Sequence, residues 1–216
     1  CRACNSKNLK DLFSLGKLSF TGKFAKNKSL NIPKAELGLK LCENCKLVQL
    51  SKNFNLKYLY GPDYGYRTGI NKTMSDHVSK VVKNAIKITG LKKNDAVLDI
   101  ASNDGTLLNS YPQNILTFGI DPTIAKFKKE YKNINFKIPS FFERKKIIKL
   151  FKKKFKVITA LSVFYDIENP NKFLSEVNDL LDMNGIFILE QADLLSIIKL
   201  KMFDTICHEH LEYYSH

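Results

Sequence analysis

From residue 96 onward, the chain alternates short apolar runs with segments of helical pattern. Each run contains few charges and is bounded by turn residues, which is typical of buried parallel strands. The predicted strands cover residues 96–100, 116–120, 135–138, 156–161 and 185–190. The predicted helices between them lie near residues 106–110, 124–131, 143–151 and 171–181. This alternation predicts an α/β fold, a parallel sheet with helices on both faces.

A longer helix is predicted before the first strand of this sheet. Ser75 is a suitable N-cap, and Gly90 can end the helix in the left-handed conformation. Apolar positions recur between them at helical spacing, at Val78, Val81, Val82, Ala85 and Ile86. We therefore predict two domains, a small lobe with an aromatic connector over residues 1–74 and an α/β domain over residues 75–216.

The turn after the first predicted strand is a candidate binding site, because sites in such sheets gather at the carboxyl ends of the strands. It lacks the full glycine fingerprint of a dinucleotide loop and the Lys-Ser/Thr pair of a P-loop. Asp99 and Asp104 place negative charge where a pyrophosphate would lie. A cationic ligand fits better, and S-adenosylmethionine has a sulfonium and an ammonium group. An ordinary turn with capping aspartates is the alternative.

Further residues at the same predicted edge complete this candidate cofactor site. Asp121 follows the second strand, where an acidic residue takes ribose hydroxyls. Phe141 or Phe142 is expected near the adenine, and the first turn is expected along the methionine portion. The candidate cofactor-binding residues are Asp99, Ala101, Ser102, Asn103, Asp104, Gly105, Asp121, Phe141, Phe142 and Ser162.

Two Cys-x-x-Cys knuckles near the start of the chain supply Cys1, Cys4, Cys42 and Cys45. Each knuckle presents two thiolates to one metal, and two knuckles close a tetrahedral site. Four cysteines leave no open position, so we predict a structural zinc ion; a redox pair is the alternative for a single knuckle. The lobe between the knuckles is expected to be filled by the apolar side chains of Leu12, Phe13, Leu15, Leu18, Phe20 and Phe24.

An aromatic and glycine-rich connector covers residues 58–69, between the lobe and the long helix. Its four tyrosines stand close together among glycines, which makes poor core material and is typical of a loop that covers a site. Tyr64 and Tyr66 are therefore candidate hydrogen-bond donors or substrate contacts. A plain linker with surface aromatic residues is the alternative.

The net charge of +14 at pH 7 raises the question of a nucleic-acid or membrane partner. Lysine, asparagine and isoleucine are abundant everywhere, whereas arginine, the preferred reader of bases and phosphates, is scarce. We therefore interpret the charge as compositional bias and expect neither partner. No apolar run is long enough to span a membrane.

Further properties of the chain are expected from its cysteines and its ends. Five cysteines without a secretory signal favour a metal site over disulfides, which predicts a cytoplasmic location. The chain starts at Cys1 and stops at His216, directly after a motif, so we expect it to be a fragment. A monomer is expected.

A second candidate site lies near the end of the chain, where three of the four histidines fall within the last nine residues. A His-x-His pair could bind a metal, but the spacing indicates no third ligand, and the two-residue gap of zincin helices is missing. A general base is the better interpretation, because a neutral imidazole accepts protons near pH 7. His210 is the candidate base, and Glu209 is a candidate to orient it or to bind the substrate.

Taken together, these segments resemble the S-adenosylmethionine-dependent sugar C-methyltransferases of deoxysugar biosynthesis, which act on nucleotide-linked 4-keto sugars. The matching segments are the two knuckles, residues 64–69, residues 102–108, residues 119–122 and residues 203–215. The resemblance implies an N-terminal zinc lobe, a Rossmann-like methyltransferase domain and a further C-terminal domain that this chain lacks. It also implies that His210 is the base.

The chain departs from the family pattern at three places. Ala101 stands where the family usually has Gly. Cys207 stands where well-studied members have a Tyr that is thought to steady the enolate. Tyr165 and Asp166 stand where many members have Ala and His. These differences bear on the identity of the substrate more than on the reaction class.

The chemistry is coherent without the resemblance. A ketone makes the adjacent C–H bond acidic, a base removes the proton, and the enolate attacks the sulfonium methyl group. His210 is the candidate base, and Tyr64, Tyr66 and Tyr165 are candidate donors or sugar contacts. One alternative is a zinc-lobe RNA-binding protein with a degenerate methyltransferase domain. The other is an O- or N-methyltransferase, which would leave the His-Glu-His motif unexplained.

Overall fold

The computed structural model describes residues 1–21, 32–55, 59–60 and 64–215. The chain divides into two compact units. The first unit comprises Cys1–Gly65, Ser162–Phe173 and Glu190–His216, and the second comprises Tyr66–Leu161 and Leu174–Leu189. The predicted division into residues 1–74 and 75–216 stays a prediction.

Strands and helices of the described residues are numbered along the chain. The strands are β1 (Leu9–Ser19), β2 (Lys34–Cys42), β3 (Val48–Leu50), β4 (Ala96–Ile100), β5 (Leu116–Ile120), β6 (Phe136–Ile138), β7 (Phe155–Leu161), β8 (Leu181–Glu190) and β9 (Glu212–Tyr213). The helices are α1 (Lys72–Thr89), α2 (Ile124–Phe127), α3 (Arg144–Leu150), α4 (Pro170–Leu180) and α5 (Leu194–Lys199). None of the described helices is long and apolar enough to cross a membrane.

A five-stranded sheet in the order β6-β5-β4-β7-β8 forms the centre of the second unit. Strand β4 pairs in parallel with both β5 and β7, and β5 pairs in parallel with β6. All five residues of β4 are buried, which explains why its sequence is a continuous apolar run broken only by Asp99. The predicted parallel α/β sheet is therefore confirmed.

Helix α1 begins one turn before the predicted cap. Asn71 is the N-cap, and its side chain accepts a hydrogen bond from the Met74 backbone N–H. The prediction of Ser75 as cap was wrong because its hydroxyl donates instead to the Asn71 carbonyl, inside the first turn. Gly90 ends the helix as predicted, with φ of +57° and an N–H bond to the Ile86 carbonyl.

Two predicted helices of the second unit are shorter than expected. The helix predicted over residues 106–110 is only a 3₁₀ turn over Leu108–Ser110. At its predicted start, both the N–H and the hydroxyl of Thr106 donate to the Asp104 side chain. The helix predicted over residues 124–131 splits into α2 and a 3₁₀ turn over Lys128–Glu130.

The first unit contains a separate sheet in the order β1-β2-β3-β9, with antiparallel pairing throughout. Its core differs from the prediction, because β1 is an edge strand with almost every residue exposed. The side chains of Leu12, Phe13, Leu15 and Leu18 are between 41% and 50% exposed, and Phe24 lies outside the described residues. The actual core consists of Leu37, Leu39, Val48, Leu50, Ile197, Leu211 and Tyr213.

Strand β9 joins the end of the chain to this small sheet. Val48 pairs with Tyr213, and Gln49 pairs with Glu212. The segment that carries His208, Glu209 and His210 leads directly into β9. The histidine motif therefore belongs to the same unit as the cysteine knuckles, a placement that the sequence pattern did not predict.

Candidate functional site

The predicted zinc ligands lie together in the first unit. The sulfur atoms of the four knuckle cysteines all lie within 4.8 Å of one another. The Sγ atoms of Cys1 and Cys45 are 3.6 Å apart, as are those of Cys4 and Cys42. Four sulfurs about 2.3 Å from a tetrahedral metal would be about 3.8 Å apart, so the cluster has the size of a Cys₄ zinc site.

Hydrogen bonds at Cys4 favour the thiolate form that zinc requires. Asn44 Nδ2 donates to Cys4 Sγ at 3.5 Å. This bond, together with a backbone hydrogen bond from Ser6, lowers the pKa of Cys4 to about 6. The donor set therefore fits a structural zinc ion and leaves no coordination position for a substrate.

The first loop of the second unit, residues 101–105, has an unusual backbone. Ala101, Asn103 and Gly105 adopt φ values of +60°, +49° and +78°. Only glycine adopts this region without strain, so the two other residues must be held there by their surroundings. Tyr131 supplies part of this support, because its hydroxyl lies 2.8 Å from both Ser102 Oγ and the Asn103 carbonyl oxygen.

Buried carboxyl groups surround this loop. Asp121 Oδ2 accepts from the Asn103 backbone N–H at 2.9 Å, and its Oδ1 accepts from the N–H and hydroxyl of Thr123. Asp99 Oδ1 accepts from the Thr159 hydroxyl at 2.5 Å. Burial raises the pKa of Asp99 to about 7, and burial is also the main cause of the raised pKa of Asp121. A positively charged ligand would offset the cost of ionising these desolvated carboxyls.

The connector segment, residues 66–69, packs against the first loop. Asn103 Oδ1 accepts from the Thr68 backbone N–H at 3.0 Å, and its Nδ2 donates to the Tyr66 carbonyl at 3.1 Å. Asp104 Oδ2 accepts from the Gly69 backbone N–H at 3.0 Å and lies 3.5 Å from Arg67 Nε. These contacts fix residues 66–69 on the loop and engage the Asn103 and Asp104 side chains, and the role of the connector as the cover of a site stays a prediction.

The remaining candidate cofactor residues follow the carboxyl ends of other strands. Phe141 and Phe142 are half-buried and come just after β6. Ser162 follows β7 directly, is exposed and has a φ of +54°. It falls in the first unit, whereas the other cofactor candidates fall in the second.

His210 has the geometry of a neutral base. Its Nδ1 lies 2.8 Å from the Thr205 carbonyl oxygen. Because a carbonyl can only accept, the hydrogen is on Nδ1 and the lone pair is on Nε2. Burial lowers the pKa of His210, so the imidazole is neutral at pH 7. The Tyr165 ring packs on the imidazole with a centroid distance of 4.4 Å.

The neighbours of His210 in sequence have other roles. His208 is fully buried, its Nε2 lies 3.1 Å from the Ala35 carbonyl, and its ring packs on Phe20 and Phe54. Glu209 is buried and accepts a hydrogen bond from the Thr21 hydroxyl. The hydrogen bond that orients His210 is donated by its own Nδ1–H to the Thr205 carbonyl, and the role of Glu209 stays a prediction.

The candidate tyrosines are divided between the units. Tyr64 belongs to the first unit, and its ring lies 5.1 Å from that of Tyr60. Tyr66 belongs to the second unit and is half-exposed. The sequence analysis did not single out Tyr60 as a site residue, although its hydroxyl donates to Asp166 at 2.6 Å. No sequence pattern could reveal this pair, because 106 positions separate its members.

Residues 1–60 match the family model Methyltransf_13, described as "Putative zinc binding domain". The matched stretch contains all four knuckle cysteines. This match, together with the convergence of the four sulfur atoms, identifies the cluster as a structural zinc site.

Two further comparisons concern most of the chain. The C-methyltransferase NovU of Streptomyces niveus is 26% identical over 222 residues, which cover all of this chain and 52% of NovU. The chain thus spans about half the length of this curated relative. The Haloferax volcanii complex of the Trm112 methyltransferase activator with a methyltransferase has a TM-score of 0.51 and 19% identity, covering 68% of this chain and 67% of that one. This likeness shows the Rossmann-like methyltransferase fold.

The plantazolicin methyltransferase BamL, solved with a triazolic desmethylPZN analogue and SAH, is a more partial match. Its TM-score is 0.48 at 23% identity, and the match covers 59% of this chain and 50% of BamL.

Replacing Cys42 with Ser should remove the zinc ion. A serine hydroxyl is a poor zinc ligand, and metal binding is coupled to folding of the small sheet. Metal analysis should give about one zinc per parent chain and less than half of that for the variant. Hydrogen exchange should rise in β2 and β3 but not in β4. Cys207→Ala is the control and should keep its zinc; a full equivalent in Cys42→Ser would contradict the assignment.

Replacing Gly69 with Ala should displace the connector segment. The added Cβ would lie 2.6 Å from Thr106 Oγ1 and 2.9 Å from Asp104 Oδ2. We expect a loss of about 1–3 kcal/mol in the free energy of unfolding, measured by urea denaturation. Ser79→Ala on α1 is the control and should change stability by less than about 0.5 kcal/mol. Equal stability of Gly69→Ala and the parent would show that the segment is not held as described.

Proposed function

We propose that this protein transfers a methyl group from S-adenosylmethionine to a carbon next to the ketone of a nucleotide-linked keto-deoxysugar. The observation that carries the proposal is the His210 imidazole, whose Nδ1 hydrogen is fixed on the Thr205 carbonyl and whose Nε2 keeps a lone pair. Methylation of carbon needs such a base, whereas methylation of oxygen or nitrogen does not. The similarity to a C-methyltransferase of Streptomyces niveus supports the same reaction class.

The second unit would bind the cofactor at the first loop. Asp99, Asp104 and Asp121 are at most 6% exposed, and such buried carboxyls favour a ligand with a positive centre. Asp121 would accept hydrogen bonds from the ribose hydroxyls, with its carboxylate already oriented by Asn103 and Thr123. Phe141 or Phe142 would pack near the adenine. When bound, S-adenosylmethionine supplies an electrophilic methyl group on a sulfonium.

The first unit would act on the sugar. His210 Nε2 would remove the proton next to the ketone, while the Thr205 carbonyl stabilises the imidazolium that forms. Tyr165 holds the imidazole plane by ring packing. Glu209, Tyr64 and Tyr66 remain candidates for contacts to the sugar hydroxyls. The reaction requires base, carbon and methyl group in line.

The compartment and the oligomeric state of the protein are proposals as well. A zinc site built from four cysteines that form no disulfide suits a reducing compartment such as the cytoplasm. The structural zinc does no chemistry in this proposal, because four cysteine ligands leave it without an open position. We also propose that the protein acts as a monomer without nucleic acid.

Replacing Asp121 with Ala should weaken cofactor binding. The change removes a charge-assisted hydrogen bond to the ribose, so we expect a loss of about 1–3 kcal/mol in binding free energy. Isothermal titration calorimetry with S-adenosylmethionine measures this loss. Asp76→Asn, an exposed carboxylate on α1 paired with Lys72, is the control and should bind as the parent does. Equal affinity of Asp121→Ala and the parent would remove Asp121 from the site.

Replacing His210 with Asn should abolish proton removal and keep cofactor binding. We expect turnover to fall by about 10²–10⁴-fold, with the same loss in exchange of the substrate's α-proton with deuterated water. In the parent, exchange should rise with pH through a pKa below the usual histidine value, because burial favours the neutral imidazole. Mass spectrometry of a panel of nucleotide-linked keto sugars gives both product and exchange.

His77→Asn on α1 is the matched histidine control and should exchange at the parent rate. Parent-rate exchange in His210→Asn would exclude His210 as the base and make Tyr66 the next candidate. A methylated product that keeps its α-proton would favour an O- or N-methyltransferase. Salt-dependent RNA binding without any methylated sugar would favour the RNA-binding alternative.

A further inference from the structure

A carbon-acid reaction needs a hydrogen-bond donor for the ketone oxygen as well as a base for the proton. Negative charge develops on that oxygen as the enolate forms, and a positioned donor typically contributes about 10²–10³-fold in rate. The Cys207 thiol is a poor candidate, because burial raises its pKa to about 12 and thiols are weak donors. We therefore looked for a stronger donor near His210 in the first unit.

The 3₁₀ turn Phe164–Asp166 is fastened to the segment that carries His210. The Leu211 backbone N–H donates to the Tyr165 carbonyl at 2.8 Å. The Tyr165 ring packs on the His210 imidazole at 4.4 Å. Asp166, the next residue of this turn, is thereby held close to the base.

The Asp166 side chain is buried, with 8% exposure. Its Oδ2 accepts from the Tyr60 hydroxyl at 2.6 Å. Its Oδ1 is also buried but has no hydrogen-bond partner among the described residues. A buried carboxyl oxygen without a partner is costly, and either a proton of its own or a hydrogen bond to a ligand would reduce that cost.

The groups that face Asp166 favour its neutral form. Burial is the main cause that raises its pKa well above the usual range, and the carboxyl groups of Glu209 and Glu212 raise it further. The Tyr60 hydrogen bond opposes this shift, and the Tyr213 phenol is a fourth facing group. The positive charge of Arg2 acts to lower the pKa of Glu212, one of these carboxyl groups. With Oδ2 accepting from Tyr60, Oδ1 is the oxygen that carries the hydrogen in the neutral form of Asp166.

We propose that Asp166, supported by Tyr60, donates a hydrogen bond from Oδ1 to the ketone oxygen of the substrate while His210 removes the adjacent proton. Asp166 is then a catalytic residue of the reaction proposed above, on which this inference rests. A neutral carboxylic acid in an apolar setting is an effective oxyanion donor. The partner Tyr60 keeps the acid oriented and polarises it.

In the proposed step, each bond that breaks is matched by a bond that forms. The C–H bond next to the ketone breaks, its proton moves to His210 Nε2, and its electron pair enters the enolate, whose oxygen accepts the hydrogen bond from Asp166. The enolate carbon then bonds to the methyl group as the methyl–sulfur bond breaks, which restores the ketone and leaves a neutral thioether. Asp166 keeps its proton throughout, and His210 releases its proton to water.

The first test measures the protonation state of Asp166 in the full chain. Infrared difference spectra between the parent and Asp166→Asn at pH 7 should contain a carboxylic-acid carbonyl band that belongs to Asp166. A carboxylate band in its place would overturn the proposal. This measurement needs no substrate, so it is independent of the proposed reaction.

The second test measures α-proton exchange of a nucleotide-linked 4-keto-6-deoxysugar in deuterated water. Asp166→Ala should lose about 10²–10³-fold in rate, whereas Asp166→Asn should stay within about tenfold of the parent, because its amide also donates a hydrogen bond. Asp11→Asn, an exposed carboxylate on β1, is the control and should exchange at the parent rate. Rescue by Asn but not by Ala distinguishes a donor from a merely structural acid.

Each outcome decides between the proposals. Parent-rate exchange in Asp166→Ala would overturn the role of Asp166 while leaving His210 as the base. If the parent exchanges none of the keto sugars, the proposed function fails and this inference fails with it. If Asp166→Ala does not fold, Tyr60→Phe replaces it. Loss of the Tyr60 hydroxyl should slow α-proton exchange about tenfold and shift the infrared band of Asp166. An unchanged rate and an unchanged band would overturn the proposal.

Discussion

The pairing of β9 with β3 is the constraint on which the first unit depends. Two residue pairs, Val48 with Tyr213 and Gln49 with Glu212, bring the end of the chain into the sheet that follows the second cysteine knuckle. The first knuckle reaches the same sheet, because Arg2 donates to the Gln49 side chain and to the Leu50 carbonyl. The structural zinc and the histidine motif thus stabilise one common sheet, although most of the chain lies between them.

Burial determines the chemistry that this unit can perform. Desolvation penalises charge, so it lowers the pKa of His210 and raises those of Asp166 and Glu212, the latter to about 8. Burial thus favours an unprotonated imidazole and neutral carboxylic acids within one unit, which is the combination that the proposed enolate formation needs. Each group has a defined partner, the Thr205 carbonyl for His210 and the Tyr60 hydroxyl for Asp166, so their hydrogens have fixed positions.

The second unit uses hydrogen bonds to hold a strained loop in one conformation. Ala101 and Asn103 have positive φ without being glycines, a conformation that costs up to about 1–3 kcal/mol per residue and persists only where the surroundings enforce it. Tyr131 and the backbone of residues 66–69 supply the enforcing contacts. The loop is therefore shaped before any ligand binds, which lowers the entropic cost of binding.

The sequence alone determined the parallel sheet and the cysteine cluster, because short apolar strands and metal ligands follow local spacing rules. It did not determine the core of the first unit, since a strand such as β1 looks the same whether its leucines are buried or lie at an exposed edge. Nor could it find the partners of His210 and Asp166. Their hydrogen bonds depend on how distant segments fold together, and burial, which sets their protonation, exists only in the tertiary structure.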